Sequence, residues 1–517
     1  MCSQKVGSAV DECSLDDSRA SSPQPRAARS KRGPITFRRG GLGQYNGPDL
    51  VTCFTLARGP RGPHVPRRLS RFAPRRACVL WLGLFAWACA PPPPGRNLIL
   101  ISVDTLRADR LGCYGYERPT SPTIDRLARE GTLFSDASAP SPWTLPSHAS
   151  MFTGLYPRRN GVTGTRFTMP KDVATLAELL SKYGYATGGV VTNSLLTTNG
   201  LDRGFDFHEE VDKGGPHPSA TSVRGIEWLQ GRDRKRPFFL LLHYIDPHAD
   251  YGTLEDVREQ FVEPYDGPLR GKSEELYAFV EGRLKLDEAD GRHLSNLYDG
   301  AIRQLDGELE EILTYLEGEG LLEDTLLVLT SDHGEEFLDH GGVLHGLTHF
   351  DEVARVPFIL RGPGIEAGRR IETPVSLVDL VPTCLGELGF PIPKNLDGLN
   401  LRPLLRGTGE LPRRRIYFEA DLDGSLAGSM IKGKDRAVRD GRFKLHFNER
   451  TDEVRLYDLK NDPGETRDVS AEHPGLAQEL LEDLRAFLAA GRDVPARTLT
   501  EDDLARLREL GYAGEER

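Results

Sequence analysis

NLILISVD (residues 97–104) and TLLVLTSD (residues 325–332) are two near-continuous apolar runs, each ending in an aspartate. Unbroken runs of Leu, Ile and Val read as strands buried on both faces, the texture of a parallel sheet covered by helices. PFFLLLHYID (237–246) repeats the pattern, carrying His243 and Asp246 at its end and His248 just beyond; TGGVVTN (187–193) ends in Asn193. Helical patterns lie between them, DVATLAELLSKYG (172–184) with its Gly stop and LYDGAIRQLDGELEEILTYLEGEG (297–320). This alternation predicts an α/β domain with a doubly wound or related parallel sheet. Ligands of such sheets bind outside the carboxyl ends of the strands, so polar groups recurring at that edge converge on one site.

Outside this region the texture differs. After about residue 410 come short strand-like pieces, RRRIYFEA, RAVRDGRFKLHFN and EVRLYDLKNDPGE, then a charged helix near 471–490 and an amphipathic end, DDLARLRELGYAG. They predict a smaller α+β unit. Residues 1–76 are rich in Arg, Pro, Gly and Ser without apolar spacing, which predicts disorder or sequence upstream of the true start. Arg75-Arg76 then precede ACVLWLGLFAWACA and PPPPG, a basic flank and an apolar stretch of signal length, too short to span a bilayer. Its end, Ala88-Cys89, resembles the lipobox of bacterial lipoproteins and implies export, to the periplasm or cell surface, with lipid on Cys89. An uncleaved anchor or buried helix fits less well, because prolines 91 to 94 end the segment. The expected divisions are 1–76, an extension; 77–95, a signal and linker; 96–410, catalytic; and 411–517, C-terminal.

Charge and cysteine usage exclude other classes. The net charge of −11 hides a split, since residues 1–77 hold 15 Lys/Arg against 5 Asp/Glu, +10, leaving −21 for the rest. So acidic a body is a poor nucleic-acid binder. Five of seven cysteines fall in the first 89 residues, leaving Cys113 and Cys384 in the body, neither a disulfide framework nor a thiolate cluster.

Asp104 and Asp332 end buried strands, where an uncompensated carboxylate is costly and a cation is the economical partner. Asp332-His333-Gly334-Glu335 sets oxygen and imidazole donors side by side, a set suited to Mn²⁺, Mg²⁺, Ca²⁺ or Zn²⁺. In SPWTLPSHASMFTGLYPRRNGV (141–162), Pro146 can start a helix and leave the Thr144 hydroxyl at its N-terminus, an end that favours anions. Taken alone, Thr144 and Ser147 would serve as helix caps. Six of the thirteen histidines, His243, His248, His333, His340, His345 and His349, crowd into two short segments, which favours metal, oxyanion or leaving-group contacts.

In order along the chain, ISVDTLRADRLGCYGY, TLPSHASMFTGLYP, HYIDPHADY, TSDHGEEFLDHGG, VPFILRGPG, SLVDLVPTCLGELG and LYDLKNDPGETRDV resemble the blocks of sulfatases and their phosphohydrolase relatives, from Asn97 to about Asp468. The resemblance implies an alkaline-phosphatase-like three-layer α/β/α sandwich with a smaller C-terminal α+β domain. It implies one divalent metal ion (Mn, Ca, Mg or Zn) on Asp104, Thr144, Asp332 and His333, with Thr144 as nucleophile. It places His248 and His345 against the oxyanion or leaving group, with His148 and His243 as further catalytic candidates and His340 beside them. Three departures matter. Thr105 stands where sulfatases usually carry a second Asp, His333 where they carry Asn, and Thr144-Leu145-Pro146-Ser147-His148 replaces the usual Cys or Ser, any residue, Pro, Ser, Arg. The Cβ of threonine bears a methyl and cannot become the formylglycine aldehyde.

A formylglycine hydrate expels sulfate with its second hydroxyl, which threonine lacks; a phosphothreonine faces the easier second step. The expected function is therefore metal-dependent hydrolysis of a sulfate or phosphate ester, leaning to phosphoester, on a sulfated or phosphorylated small molecule or glycan. A phosphoethanolamine- or glycerophosphate-type transferase is a rival whose relatives normally carry a multi-span membrane domain. A catalytically silent lipoprotein holding an anionic glycan is the other rival, opposed by the intact ligand residues.

Overall fold

The computed structural model describes residues 96–212, 220–420 and 434–509; Cys89 and the expected extension, signal and linker lie outside them. In chain order the strands of the larger part are β1 (Asn97–Val103), β2 (Thr132–Ser138), β3 (Ala186–Val191), β4 (Phe207–Glu210), β5 (Phe238–Tyr244) and β6 (Thr325–Ser331). A short hairpin follows, β7 (Glu336–Phe337) and β8 (Val343–Leu344), then β9 (Arg355–Arg361), β10 (Arg369–Ile371) and β11 (Val375–Ser376). All but the hairpin form one sheet ordered β10-β2-β9-β6-β1-β5-β3-β4, with β11 also on β2.

The expectation of a parallel sheet needs one amendment: β9 runs antiparallel to both β6 and β2, while the remaining pairs are parallel. Its cause lies in the connection. Parallel neighbours need a crossover, usually a helix laid along the sheet. Between β6 and β9 the chain spends its length on the β7–β8 hairpin and the single turn Asp351–Ala354, so it re-enters from the edge it left.

Side chains alternate across each strand, and both faces are buried. On β1, Leu98 and Leu100 enter one core, with Phe239, Leu241 and the Thr144–Thr153 helix. Ile99, Ile101 and Val103 enter the other, with Leu240, Leu242 and the Glu288–Gly318 helix. Burying each such side chain contributes roughly 1.5–3 kcal/mol. The result is the helix–sheet–helix sandwich implied by the blocks. Local signals set the helix ends: Thr175 and Glu178 form a reciprocal capping box for Leu176–Lys182. The long helix starts at Glu288, nine residues before the expected 297, because Asp287 and Asp290 cap it in the same way.

The smaller unit is an antiparallel sheet of β12 (Ile416–Glu419), β13 (Asp435–Asp440), β14 (Phe443–Asn448) and β15 (Glu453–Asp458). Val438, Leu445 and Leu456 pack on Leu480 and Leu484 of the Pro474–Ala489 helix. Arg439 of β13 makes a bidentate pair with Asp136 of β2, both contacts 2.6 Å, and Ser141 donates to the Glu419 carbonyl at 2.8 Å. The small sheet thus abuts the loop leading to Thr144. Cys113 and Cys384 are free thiols. Among the described residues no helix is long and apolar enough to cross a membrane.

Candidate active site

Four adjacent strands, β6, β1, β5 and β3, deliver polar groups to one edge: Asp332 just after β6, Asp104 just after β1, His243 near the end of β5 and Asn193 two residues past β3. The Thr144–Thr153 helix points its first turn at the same edge. That helix begins two residues earlier than Pro146 predicts, with Trp143 as its N-cap and Thr144 as its first residue.

The Thr144 hydroxyl lies 3.4 Å from Asp104 Oδ2, to which it donates, and 3.4 Å from His333 Nε2. His333 Nδ1 lies 3.0 Å from the Gly334 carbonyl. A carbonyl only accepts, so Nδ1 carries the proton in that bond and the Nε2 lone pair faces the carboxylates, 3.3 Å from Asp332 Oδ2 and 3.7 Å from Asp104 Oδ1. Those two oxygens are buried and accept no hydrogen bond from the described residues. Ligand atoms of Asp104, Asp332 and His333 all fall within 4.8 Å of one another. Two carboxylate oxygens without a hydrogen bond from the described residues and an imidazole lone pair converging in a buried site fit a divalent cation.

The surrounding shell is equally ordered. Asn193 Nδ2 donates to Asp104 Oδ2 at 3.0 Å, and His243 Nε2 approaches the same oxygen at 3.5 Å. The Thr105 and His333 N–H groups donate to Asp332 Oδ1 at 3.2 and 3.0 Å. Thr105 holds φ at 57°, an unusual value for a β-branched residue, which aims its N–H at the carboxylate. His148, one turn along from Thr144, reaches the Thr144 carbonyl (2.9 Å) and Asp332 Oδ2 (3.3 Å) through Nδ1, and Ser102 through Nε2 at 2.8 Å. Ser147 donates to the Asp332 carbonyl at 2.7 Å.

Opposite Thr144 stand the rings of His345 and His248. His345 lies 4.4 Å from the His333 ring and 5.1 Å from His248, centroid to centroid. His345 Nδ1 pairs with Glu335 at 2.9 Å, and His248 Nδ1 with the Ala249 carbonyl at 2.6 Å. Burial would raise the Asp104 carboxyl, but His243, His248 and His333 hold it well below the usual carboxylate range. Burial pushes His243, His248, His333 and His345 down as bases, whereas Asp332 outweighs burial at His148 and lifts it. Burial lifts the Glu335 carboxyl to about 7.

Of the residues expected at the site, the structure brings together Asp104, Thr144, Asp332 and His333 at its centre, and His148, His243, His248 and His345 around it. His340 and His349 do not join them. His340 pairs with Glu352 at 2.5 Å and stacks on Phe350, and His349 is buried toward the Asp435 carbonyl at 3.3 Å. Sequence alone puts Asn193 at this edge and Glu335 beside the Asp332-His333 donors, but not the contacts they make, Asn193 with Asp104 and Glu335 with His345.

Comparison with known proteins gives a consistent picture. The sulfatase family model matches residues 96–390, and one described as N-sulphoglucosamine sulphohydrolase, C-terminal, matches 340–492. Human arylsulfatase A is 28% identical over 465 residues, 78% of this chain and 89% of that protein. Among solved structures, the phosphonate monoester hydrolase of Agrobacterium radiobacter superimposes with a TM-score of 0.62 at 23% identity, covering 76% of this chain and 96% of the other. A protein solved with its substrate D-glucosamine-2-N,6-O-disulfate reaches 0.63 at 23% identity, covering 76% and 98%.

Proposed function

Since the chain belongs to the sulfatase family of ester hydrolases, in the alkaline phosphatase superfamily, we propose that it cleaves sulfate or phosphate esters with Thr144 as the attacking group. The observation that carries this is the Thr144 hydroxyl at 3.4 Å from both Asp104 and His333, on the first residue of a helix. Asp104, Asp332, His333 and Thr144 would hold the divalent ion, whose charge lowers the pKa of a hydroxyl and offsets that of a nonbridging oxygen.

The chain's own groups do the rest. Asn193 and His243 fix Asp104, while the Thr105 N–H and His148 fix Asp332, so the two carboxylates keep one separation. The helix N-terminus faces the oxygens of the ester. In-line attack forms a Thr144 Oγ–phosphorus or Oγ–sulfur bond as the bond to the alcohol oxygen breaks, with His248 and His345 against the departing oxygen. Water or another alcohol then displaces the threonine.

The phosphoester lean rests on threonine's lack of a second hydroxyl. Anionic glycans are the natural substrate class to try, given the glucosamine disulfate bound by one structural neighbour. A paired screen of aryl sulfate, phosphate monoester, phosphodiester and phosphonate with Mn²⁺, Ca²⁺, Mg²⁺ and Zn²⁺ decides between them; turnover confined to sulfate overturns the lean. Thr144→Ala should abolish turnover with fold and metal retained, and near-native activity removes the nucleophile. Export and lipid attachment at Cys89 remain part of this proposal, tested by palmitate labelling; a cytosolic, unprocessed chain refutes it.

A further inference from the structure

The segment 249–292 matches no sequence pattern, yet it folds into two short helices, Glu255–Phe261 and Ser273–Val280, that lead to the long Glu288–Gly318 helix. Between the first of these and the long helix opens a cavity of about 460 Å³ whose lining includes Arg258, Tyr265, Arg270 and His293. His293 is 5% exposed, and neither ring nitrogen has a hydrogen-bond partner among the described residues, although the Leu269 backbone lies close. Buried imidazoles normally find partners, so one with both nitrogens unused is unusual. Tyr265 stacks on it at 3.7 Å and 9°, its own hydroxyl engaged by Asp290.

The two arginines are just as underused. Arg258 is half-buried, and its guanidinium makes no hydrogen bond or ion pair among the described residues. Arg270 donates to the carbonyls of Gly267 (2.9 Å) and Leu269 (2.7 Å) and, among the described residues, forms no ion pair. Glu255, Glu259 and Glu263 sit on the same rim, yet neither guanidinium pairs with them. Arg258 and Arg270 line the same cavity as His293, and burial together with their charges holds the imidazole below its ordinary pKa. A neutral imidazole sharing a cavity with one guanidinium that makes no hydrogen bond and another that meets only backbone carbonyls, among the described residues, is a donor set for an oxyanion.

Position adds to this. Tyr298, five residues beyond His293 and roughly 7.5 Å along the helix axis, donates its hydroxyl to the Thr105 carbonyl at 2.6 Å, beside Asp104. The Tyr251 N–H, three residues past His248, donates to the carbonyl of Gly271, the neighbour of Arg270, at 3.0 Å. The cavity therefore hangs on the same helix and strap that border the catalytic centre.

We propose that Arg258, Arg270 and His293 form an accessory site for a second oxyanion, a sulfate, phosphate or carboxylate borne by the same anionic glycan whose ester is cut at Thr144. Its use in catalysis rests on the hydrolase reading above; its occupancy does not.

Calorimetric titration of the full-length Thr144→Ala protein with a heparin-derived tetrasaccharide and, separately, with sodium sulfate tests it, against the same protein carrying Arg258→Ala and Arg270→Ala. Loss of two charge-assisted contacts should weaken the tetrasaccharide roughly tenfold or more, and His293→Phe should weaken it with the arginines intact. Unchanged tetrasaccharide affinity in the double variant overturns the site. Arginine-dependent sulfate binding with no gain from the tetrasaccharide overturns the glycan as its source. In the chain with Thr144 intact, the double variant should turn over a small aryl ester as before. Arginine-dependent binding in a chain that hydrolyses no ester would remove the hydrolase reading and leave this one standing.

Discussion

Tyr298→Phe removes a single oxygen, yet the structure predicts a large effect. The hydroxyl donates to the Thr105 carbonyl at 2.6 Å and accepts from the Arg107 N–H at 2.8 Å, and Thr105, Arg107 and Tyr298 are all buried. Phenylalanine keeps the ring and its contact with Phe337, at 4.8 Å between centroids, so little packing is lost. What changes is that two buried backbone groups lose their only strong partner among the described residues. Each unsatisfied group costs about 1–3 kcal/mol, which gives roughly 2–6 kcal/mol before relaxation. Relaxation is directed by strain: Thr105 at φ 57° stores energy that the clamp contains. Releasing it would swing the Thr105 N–H off Asp332 Oδ1, now 3.2 Å away, and loosen Asp104 beside it. The expected outcome is a urea midpoint lower by an amount worth about 3 kcal/mol and a kcat reduced more than tenfold, with Thr105→Gly in the same background recovering part of the stability. A Tyr298→Phe protein within about 0.5 kcal/mol of wild type and of equal kcat would refute the clamp.

Two further outcomes follow from particular contacts. Burial lifts the Asp306 carboxyl from 3.8 to about 6 although the Thr123 and Ile124 N–H groups, each at 2.9 Å, pull it down. The folded state thus holds this proton more tightly than the unfolded state does. The associated stability is complete below the ordinary carboxylate range and fades as pH rises through about 6, by at most about 3 kcal/mol; Asp306→Asn should flatten that part of a pH–stability curve, and parallel curves would refute it. Asn193→Ala removes the 3.0 Å bond to Asp104 and should raise the metal concentration for half-maximal activity about 10–100-fold, read by adding Mn²⁺ back after chelation; an unchanged midpoint would show that Asn193 does not orient Asp104.

Much of the site was legible because strand ends are local. An apolar run closed by a carboxylate places that carboxylate at the sheet edge wherever the strand falls in the order, which is why Asp104 and Asp332 could be paired across more than two hundred residues. The direction of β9 is not local: VPFILRGPG has the texture of the parallel strands, and only the missing crossover after Asp332 reverses it. His340 and His349 show the converse failure. They are neighbours of His345 in sequence, but the β7–β8 hairpin keeps His345 over Glu335 while its two companions turn toward Glu352 and Asp435. The pairing of Glu335 with His345 was not legible because it depends on that hairpin, a tertiary arrangement, nor were the helices of the 249–292 segment, which are short and set in a loop-like stretch.

The departures from the usual sulfatase motif compensate one another, and that bears on the chemistry. His148, where the usual motif has arginine, joins the Thr144 carbonyl to Asp332 and bonds Ser102 of β1. The Thr144 helix is therefore tied to the sheet at the strand that delivers Asp104. On the mechanism proposed above, a threonine would need that tie more than an aldehyde hydrate: it has one hydroxyl, so the oxygen that attacks the first ester would also be the leaving group of the second step, and its placement against Asp104 and His333 would have to suit both. The methyl group that bars oxidation to an aldehyde also limits the χ1 choices of the side chain, which helps to hold the oxygen in one place. On the threonine mechanism proposed above, such a site would favour an ester whose covalent adduct is opened by attack at the central atom, as a phosphothreonine is, over one that depends on expulsion by a second hydroxyl.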